Sequence, residues 1–444
     1  MKQRLSLQNI IGMGFMVFAM FLGAGNLIFP PLAGMMAGTD VWLAAAGFLL
    51  TGVGLPLLGV VVISQVGGGF NEITRELPMG LVIFMGSSIF LIIGPLYAVP
   101  RTGMVAYEIG IIPFLDQAGA ISRFVFSLLF FGASWYLSLR PGKLLESVGK
   151  IITPALIALL VVLGIAPILL PLGEVGAPVG AYQDNAFITG FLEGYMTMDA
   201  LAALMFGVVI ITNLRSHGIT STRALFRHSV VTGCIAATGL ALVYLSLFYL
   251  GATSGSIVSN PENGGQILAA YVETLFGTFG SLLLAAVVTL ACLTTAIGCI
   301  TAAGEYFSSL SRKLNYQVLV SLISITCMFF ANLGLNQIIE LFIPVLLILY
   351  PVCIVLILLG LARRLFPNPT LVYRSTLAVA LLLSAVDAIK SIDHPVIMSI
   401  TSPFSILPGY QHNISWLAPT LACAVITTLA GKLFWPDAYQ EDQA

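Results

Sequence analysis

Residues 18–31 read FAMFLGAGNLIFPP, an apolar run interrupted by Gly23, Ala24, Gly25 and Asn26 and closed by Pro30 and Pro31. Glycine opens backbone conformations that other residues avoid, and proline removes a backbone donor. With a polar amide between them, they strongly disfavour a continuous helix. The run sits inside an apolar stretch, residues 8–37, long enough to cross a bilayer. An unpaired backbone group in hydrocarbon costs roughly several kcal/mol, so a break survives there only where it lines a cavity or meets a ligand. A plain kink packed on a neighbouring helix is the alternative. Asn26 and the paired prolines favour an unwound binding segment.

Composition makes the membrane setting general. Of 444 residues, 58% are apolar and only 8% charged, whereas a soluble domain carries about 25% charged residues. Lipid is the solvent that asks for so little charge. A net charge of −1 also argues against a nucleic-acid partner, which needs clustered basic residues. The six cysteines lie in apolar runs without a CxxC pattern and read as small buried hydrophobes rather than disulfides or zinc ligands. The first apolar run outlasts a signal-peptide core and has no cleavage-like site, so it reads as a span.

About twelve stretches qualify as spans: 8–37, 41–65, 79–99, 121–139, 150–172, 187–212, 229–252, 279–303, 316–332, 337–361, 374–390 and 412–434. These continuous apolar runs are too long for barrel strands. With a cytoplasmic N-terminus, the cytoplasmic loops hold all of the 18 Lys and Arg except Arg101, Arg123 and Lys390. That is the positive-inside pattern, with both termini cytoplasmic. The longer polar connections, 100–120, 173–186, 253–273 and 391–411, fall outside and resemble gating or capping loops.

A second break is expected in span six, where Thr197, Met198, Asp199 and Ala200 put an acid deep in an apolar run. An intramembrane carboxylate is costly and usually meets a partner or a water-filled cavity. Asp199 could cap the second half of a broken helix, contact a ligand, or do both. Glu193, one or two turns earlier, is expected nearer the outer boundary. Breaks in spans one and six, five spans apart, suit an inverted repeat with its site at the midplane. Half-helix N-termini would then face a substrate carboxylate. The units would be 1–172, 187–361 and an accessory pair of spans in 372–434. In span eight, Thr294 and Thr295 follow Ala291. Their hydroxyls either bond their own helix carbonyls or offer neutral oxygens to a monovalent cation.

FAMFLGAGNLIFPP, GPLYAVPRTG at 94–103 and TMDALAALMFG at 197–207 resemble the bacterial branched-chain amino acid:cation symporters of the BrnQ type. That family is similar to the wider LeuT-fold transporters, an all-α polytopic architecture with discontinuous helices 1 and 6, whose leucine transporter is a standing example of the design. The resemblance implies Na⁺-coupled uptake of leucine, isoleucine and valine across the bacterial inner membrane, with no organic cofactor. It places the substrate at Gly23, Ala24, Gly25 and Asn26 and at the segment Thr197, Met198, Asp199 and Ala200. It places Na⁺ at the carbonyls of Ala19, Leu22 and Ala291 and the hydroxyls of Thr294 and Thr295. Arg101 and Glu108, in the third connection, are expected to gate the outer mouth. Proton coupling through Asp199 and another small solute, such as a nucleobase, stay open. A membrane enzyme would need an intramembrane His cluster, and the four His (His217, His228, His394 and His412) are assigned to loops.

Overall fold

A computed structural model describes residues 5–139, 143–311, 313–392 and 399–434. Helices form wherever the sequence is apolar enough to leave lipid or protein as the only surroundings. The first region holds α1 (Leu7–Phe21), α2 (Ala24–Ala37), α3 (Val41–Leu49), α4 (Leu55–Val66) and the short α5 (Phe70–Ile73). A π-helical turn at Leu50–Gly54 joins α3 to α4 without a break. Next come α6 (Met79–Leu91), α7 (Ala98–Gly110), α8 (Ala120–Ser138) and α9 (Lys143–Leu169). After a long connection follow α10 (Tyr182–Glu193), α11 (Asp199–Ser216), α12 (Thr222–Ala252) and α13 (Gly264–Leu310). The chain closes with α14 (Tyr316–Ala331), α15 (Leu335–Ala362), α16 (Pro369–Lys390) and α17 (Leu417–Phe434). Among the described residues, nine helical segments are long and apolar enough to cross a membrane, and three shorter apolar helices accompany them.

Every stretch expected to span is helical over most of its length, with three differences of note. The third does not stop at residue 99. A π-helical turn at Ile92–Leu96 and a kink at Gly94 (φ −88°, ψ −109°) absorb Pro95, and α7 carries the span on to Gly110. Pro100 falls in the first turn of α7, where its missing N–H costs nothing. The connection expected at 100–120 therefore shrinks to the residues between α7 and α8. The second difference is α13, which begins at Gly264 and bends at Gly277 (φ 60°), so the expected loop 253–273 is partly helical. The third is His228, which is buried within α12 rather than in a loop. His217 follows α11 and His412 lies in a short 3₁₀ turn, as loop residues, while His394 lies outside the described residues. Of the cysteines, Cys292, Cys299, Cys327 and Cys353 are buried, but Cys234 is exposed.

The core is built by close approach of small residues, the usual means of packing helices in lipid. A Cβ at Gly34 would fall 2.0 Å from the Phe248 carbonyl oxygen, and one at Gly251 would fall 1.9 Å from that of Pro31. This reciprocal pair seats α12 against α2. Gly47 and Gly190 do the same for α3 and α10, each meeting a carbonyl of the other helix at 2.0 Å. The bent α13 lies along α7 and also touches α2. The long connection crosses the end of α2, where Thr39 N–H donates to Gly176 O at 2.9 Å and Val179 N–H to Met36 O at 2.8 Å. Beyond α15, α16 packs on α15 and α17 on α16. Buried Asp387 on α16 accepts the hydroxyl of Ser415 at 2.8 Å and its N–H at 3.0 Å, fixing the entry to α17.

Candidate functional site

Five helix starts are capped at a loop: Ser6, Ser221, Asn263, Asn315 and Asn368 each accept a backbone N–H of the first turn. α2 and α11 start instead inside the bundle, at the two places where breaks were expected. α1 ends at Phe21. Leu22 turns to an extended conformation (ψ 90°), Gly23 follows it (φ −108°, ψ −174°), and α2 begins at Ala24. The break is narrower than the sequence suggested. Ala24, Gly25 and Asn26 form the first turn of α2, and the helix runs on through Pro30 and Pro31. Prolines of this kind are tolerated in a membrane helix where neighbours cover the freed carbonyls, and both are buried.

The loss of winding can be traced bond by bond. In a continuous helix the Gly23 N–H would donate to Ala19 O, and that of Asn26 to Leu22 O. Instead Gly23 N–H donates to the Asn26 side-chain carbonyl at 3.2 Å, and Asn26 N–H donates to Gly23 O at 3.2 Å. The carbonyls of Ala19 and Leu22 thereby leave the helical ladder. They are two of the three backbone oxygens that the resemblance assigned to a cation, the third being that of Ala291.

The second break has the same character. α10 tightens into a 3₁₀ turn at Gly194–Thr197, Met198 adopts the left-handed conformation (φ 66°, ψ 13°), and α11 begins at Asp199. A left-handed residue other than glycine costs about 1–2 kcal/mol, so Met198 is held there by its surroundings. Thr197 and Met198 are therefore the broken residues, while Asp199 and Ala200 belong to the first turn of α11. The Thr197 hydroxyl donates to Gly194 O at 2.9 Å. The Ala200 N–H donates to the Tyr350 hydroxyl at 3.2 Å, and Tyr350 stacks on Tyr195 with ring centroids 4.3 Å apart. Glu193 ends α10, half-buried.

The two breaks lie side by side and are bonded to each other. Asp199, 2% exposed, accepts at Oδ2 from the Asn26 amide at 2.8 Å and from the Tyr244 hydroxyl at 2.6 Å. The Asn26 amide also donates to the Tyr244 hydroxyl, closing a three-membered network across α2, α11 and α12. Asp199 thus places a carboxyl group in the first turn of α11 and ties that helix to α2 and α12.

Span eight lies beside the first break. Gly23 faces Thr295, whose methyl carbon would be 3.8 Å from a Cβ at Gly23. The hydroxyls of Thr294 and Thr295 both donate to Ala291 O, at 2.8 and 3.0 Å. Their oxygens keep lone pairs for a cation. The Ala291 carbonyl, already accepting both hydroxyls, is the poorest fit of the five oxygens assigned to Na⁺.

Arg101 contradicts its expected place. It lies within α7, 4% exposed, rather than in an outer connection. Its Nη1 donates to Met196 O at 2.5 Å and to the Tyr97 hydroxyl at 3.1 Å, and its guanidinium lies 4.7 Å from the Tyr97 ring centre and 5.3 Å from that of Phe29. It therefore sits against both breaks. Glu108 lies elsewhere, lining a cavity of about 250 Å³ with Arg123 and Glu262 at the end of the bundle formed by the α7–α8 and α14–α15 connections. Tyr244, Tyr350 and Tyr97 are site residues that the sequence did not single out.

Compared with known proteins, residues 6–434 match a family described as branched-chain amino acid transport protein. The chain is 47% identical over 425 residues to the branched-chain amino acid transport system 2 carrier protein of Pseudomonas aeruginosa, covering 96% of both chains. It is 42% identical over 429 residues to the branched-chain amino acid permease BrnQ of Escherichia coli, covering 97% of both. Among solved structures it resembles an inward-facing conformation of Mhp1, with TM-score 0.58 at 15% identity over 98% of this chain and 94% of that one. A Na⁺-coupled sialic acid symporter gives TM-score 0.58 at 13% identity over 96% and 90%. These likenesses carry the fold, the LeuT-like arrangement that the sequence resemblance implied. Related over nearly its whole length to carriers and permeases, the chain is a transporter rather than an enzyme, and it belongs to the branched-chain amino acid transport protein family.

Proposed function

We propose that this transporter takes up leucine, isoleucine and valine together with Na⁺, by alternating access, across the bacterial inner membrane. The observation that carries the proposal is the pair of adjoining helix breaks held together by Asn26, Asp199 and Tyr244. Backbone groups released from helical bonding at membrane depth need a partner, and a charged solute and its coupling ion are suitable ones. In this account the first turn of α2 (Gly23, Ala24, Gly25 and Asn26) and the segment from Thr197 to Ala200 hold the solute. Na⁺ sits among the oxygens of Ala19, Leu22, Thr294 and Thr295. The released carbonyls and the neighbouring hydroxyls are neutral hard oxygens, the ligand chemistry that suits such an ion.

The repeat organisation follows from the same breaks. Residues 1–172 and 187–361 form two halves of inverted topology, each opening with a broken span, and 372–434 forms an accessory pair. The basic residues favour cytoplasmic termini more clearly than the sequence alone allowed. With Arg101 inside a span, only Arg123 and Lys390, near the ends of α8 and α16, remain on the proposed outer side. Binding of Na⁺ and solute would order the two breaks, and a bundle containing spans one and six would then rock against one containing spans three and eight.

A hydrophobic side-chain pocket separates substrates by only about 1–3 kcal/mol per methylene. Unlabelled isoleucine and valine should therefore inhibit radiolabelled leucine uptake into proteoliposomes, while lysine and glutamate should not. Uptake inhibited equally by all five amino acids would contradict the substrate assignment. A proton-coupled carrier is the second reading. It is favoured by Asp199, a buried acid whose hydrogen-bond partners at Oδ2 are both neutral.

A further inference from the structure

Arg101 has no role in this transport scheme, yet it is a buried cation within the site. A guanidinium at membrane depth is kept only where something compensates it. Among the described residues no carboxylate lies within 4.0 Å of it, the described ion pairs being those of Arg75 and Arg363 with Glu76.

We propose that Arg101 receives the carboxylate of the transported solute, together with the first turn of α2. The proposal rests on the amino-acid carrier account and names the group that recognises the acid end. Three observations support it. The first is the asymmetry of the two inner helix starts. α11 already has Asp199 at its positive end, whereas α2 has the cation Arg101 beside its first turn. A helix N-terminus and a guanidinium both call for negative charge. Side by side in low dielectric they repel each other until an anion arrives.

The second observation is the division of donors on Arg101. Nη1 spends its bonds on Met196 O and Tyr97, and the rings of Tyr97 and Phe29 flank the plane. Nε is buried with no partner. The Nε–Nη2 edge is the side of an arginine that takes a carboxylate through two parallel bonds. That edge is thus held in reserve while the other is anchored.

The third observation is Gly25. A Cβ there would lie 2.7 Å from Nη2 and 2.9 Å from the central carbon of the guanidinium. The absent side chain is what lets the α2 backbone and the cation share one small volume. Because Nη1 holds Met196, the residue two before the left-handed Met198, a carboxylate on Arg101 would also report directly to the second break.

The test compares leucine with leucinamide, which keeps the side chain and amine and lacks the carboxylate, by calorimetric binding to the purified full chain in Na⁺. The wild type should prefer leucine by about 100-fold or more, as expected of a site built to bond a group the analogue lacks. Arg101→Gln should weaken leucine by about 100-fold while changing leucinamide less than about threefold, so that the preference collapses. Arg101→Lys should retain part of it. Gly25→Ala, which displaces the guanidinium without removing it, should lose it like Arg101→Gln and covers the case in which Arg101→Gln does not fold. A monodisperse Arg101→Gln protein that keeps the wild-type preference, or that loses both ligands equally, would overturn the proposal. A wild type that binds neither compound would instead overturn the carrier account beneath it.

Discussion

Replacing Asp199 by Asn keeps the shape of the side chain and removes its charge, and so isolates the bond between the two breaks. Oδ2 accepts from Asn26 at 2.8 Å and from Tyr244 at 2.6 Å. A bond to an ionised acceptor contributes about 1.5–3 kcal/mol and a neutral one about 0.5–1.5, so each bond weakens by about 1 kcal/mol on substitution. Two bonds give a loss of about 2 kcal/mol, or roughly 30-fold in an equilibrium constant. The carboxamide can still turn its oxygen to both donors, which is why the loss is not larger. If the network holds the breaks in binding geometry, leucine affinity should fall by about that factor in calorimetry of the purified carrier. Tyr244→Phe should give a comparable loss, and the double variant should fall well short of the sum of the single effects, because both remove the same unit. Strict additivity, or Asp199→Asn with wild-type affinity, would refute the idea that these three side chains act together.

Thr294→Ala with Thr295→Ala should raise the Na⁺ concentration for half-maximal uptake by about tenfold or more. Membrane insertion should be unaffected, since both hydroxyls bond only to their own helix; unchanged Na⁺ activation would reduce the pair to ordinary helix hydroxyls. Gly251→Val puts a side chain 1.9 Å from the Pro31 carbonyl oxygen and should cost at least about 1–3 kcal/mol through overpacking, seen as aggregated material in size-exclusion chromatography. Glu76, in the connection before α6, accepts from Arg363 at 2.8 and 3.1 Å and from Thr370 at 2.7 Å. Burial works to raise its pKa, but the bonds from Arg363 and Thr370 and the charges of Arg363 and Arg75 outweigh it and hold the carboxyl below its ordinary value. A depressed acid stabilises the fold above its unfolded pKa and loses that contribution as pH falls through its folded pKa. Thermal stability should therefore drop below about pH 4.5 in the wild type and less so in Glu76→Gln, whose own loss at neutral pH should be about 1 kcal/mol after solvent screening.

The positions of the breaks were legible because they violate a rule that lipid enforces. Two glycines with an amide, and an acid in an apolar run, cost too much in hydrocarbon to persist there without a partner. Their width was not legible, since Pro30 and Pro31 look like helix breakers until neighbouring helices are known to cover them. Arg101 was misplaced for a related reason. Pro95 and Pro100 resemble the end of a span, but the π-helical turn at Ile92–Leu96 and the kink at Gly94 let the span continue. Its neighbours in space, Gly25 and Met196, are far away in sequence, so no local pattern marks it as part of the site. Tyr244 and Tyr350 were missed because a tyrosine in a membrane span more often serves an interface or a core. Only the fold shows that their hydroxyls meet Asp199 and Ala200.

The coupling ion is the part of the account most directly open to measurement. In proteoliposomes, leucine uptake would be followed with the Na⁺ and H⁺ gradients imposed independently and the membrane potential clamped. An inward Na⁺ gradient at equal pH should drive accumulation above equilibrium, and a pH gradient without Na⁺ should not. Accumulation driven by the pH gradient alone, and abolished by Asp199→Asn, would contradict Na⁺ coupling and make Asp199 the proton carrier.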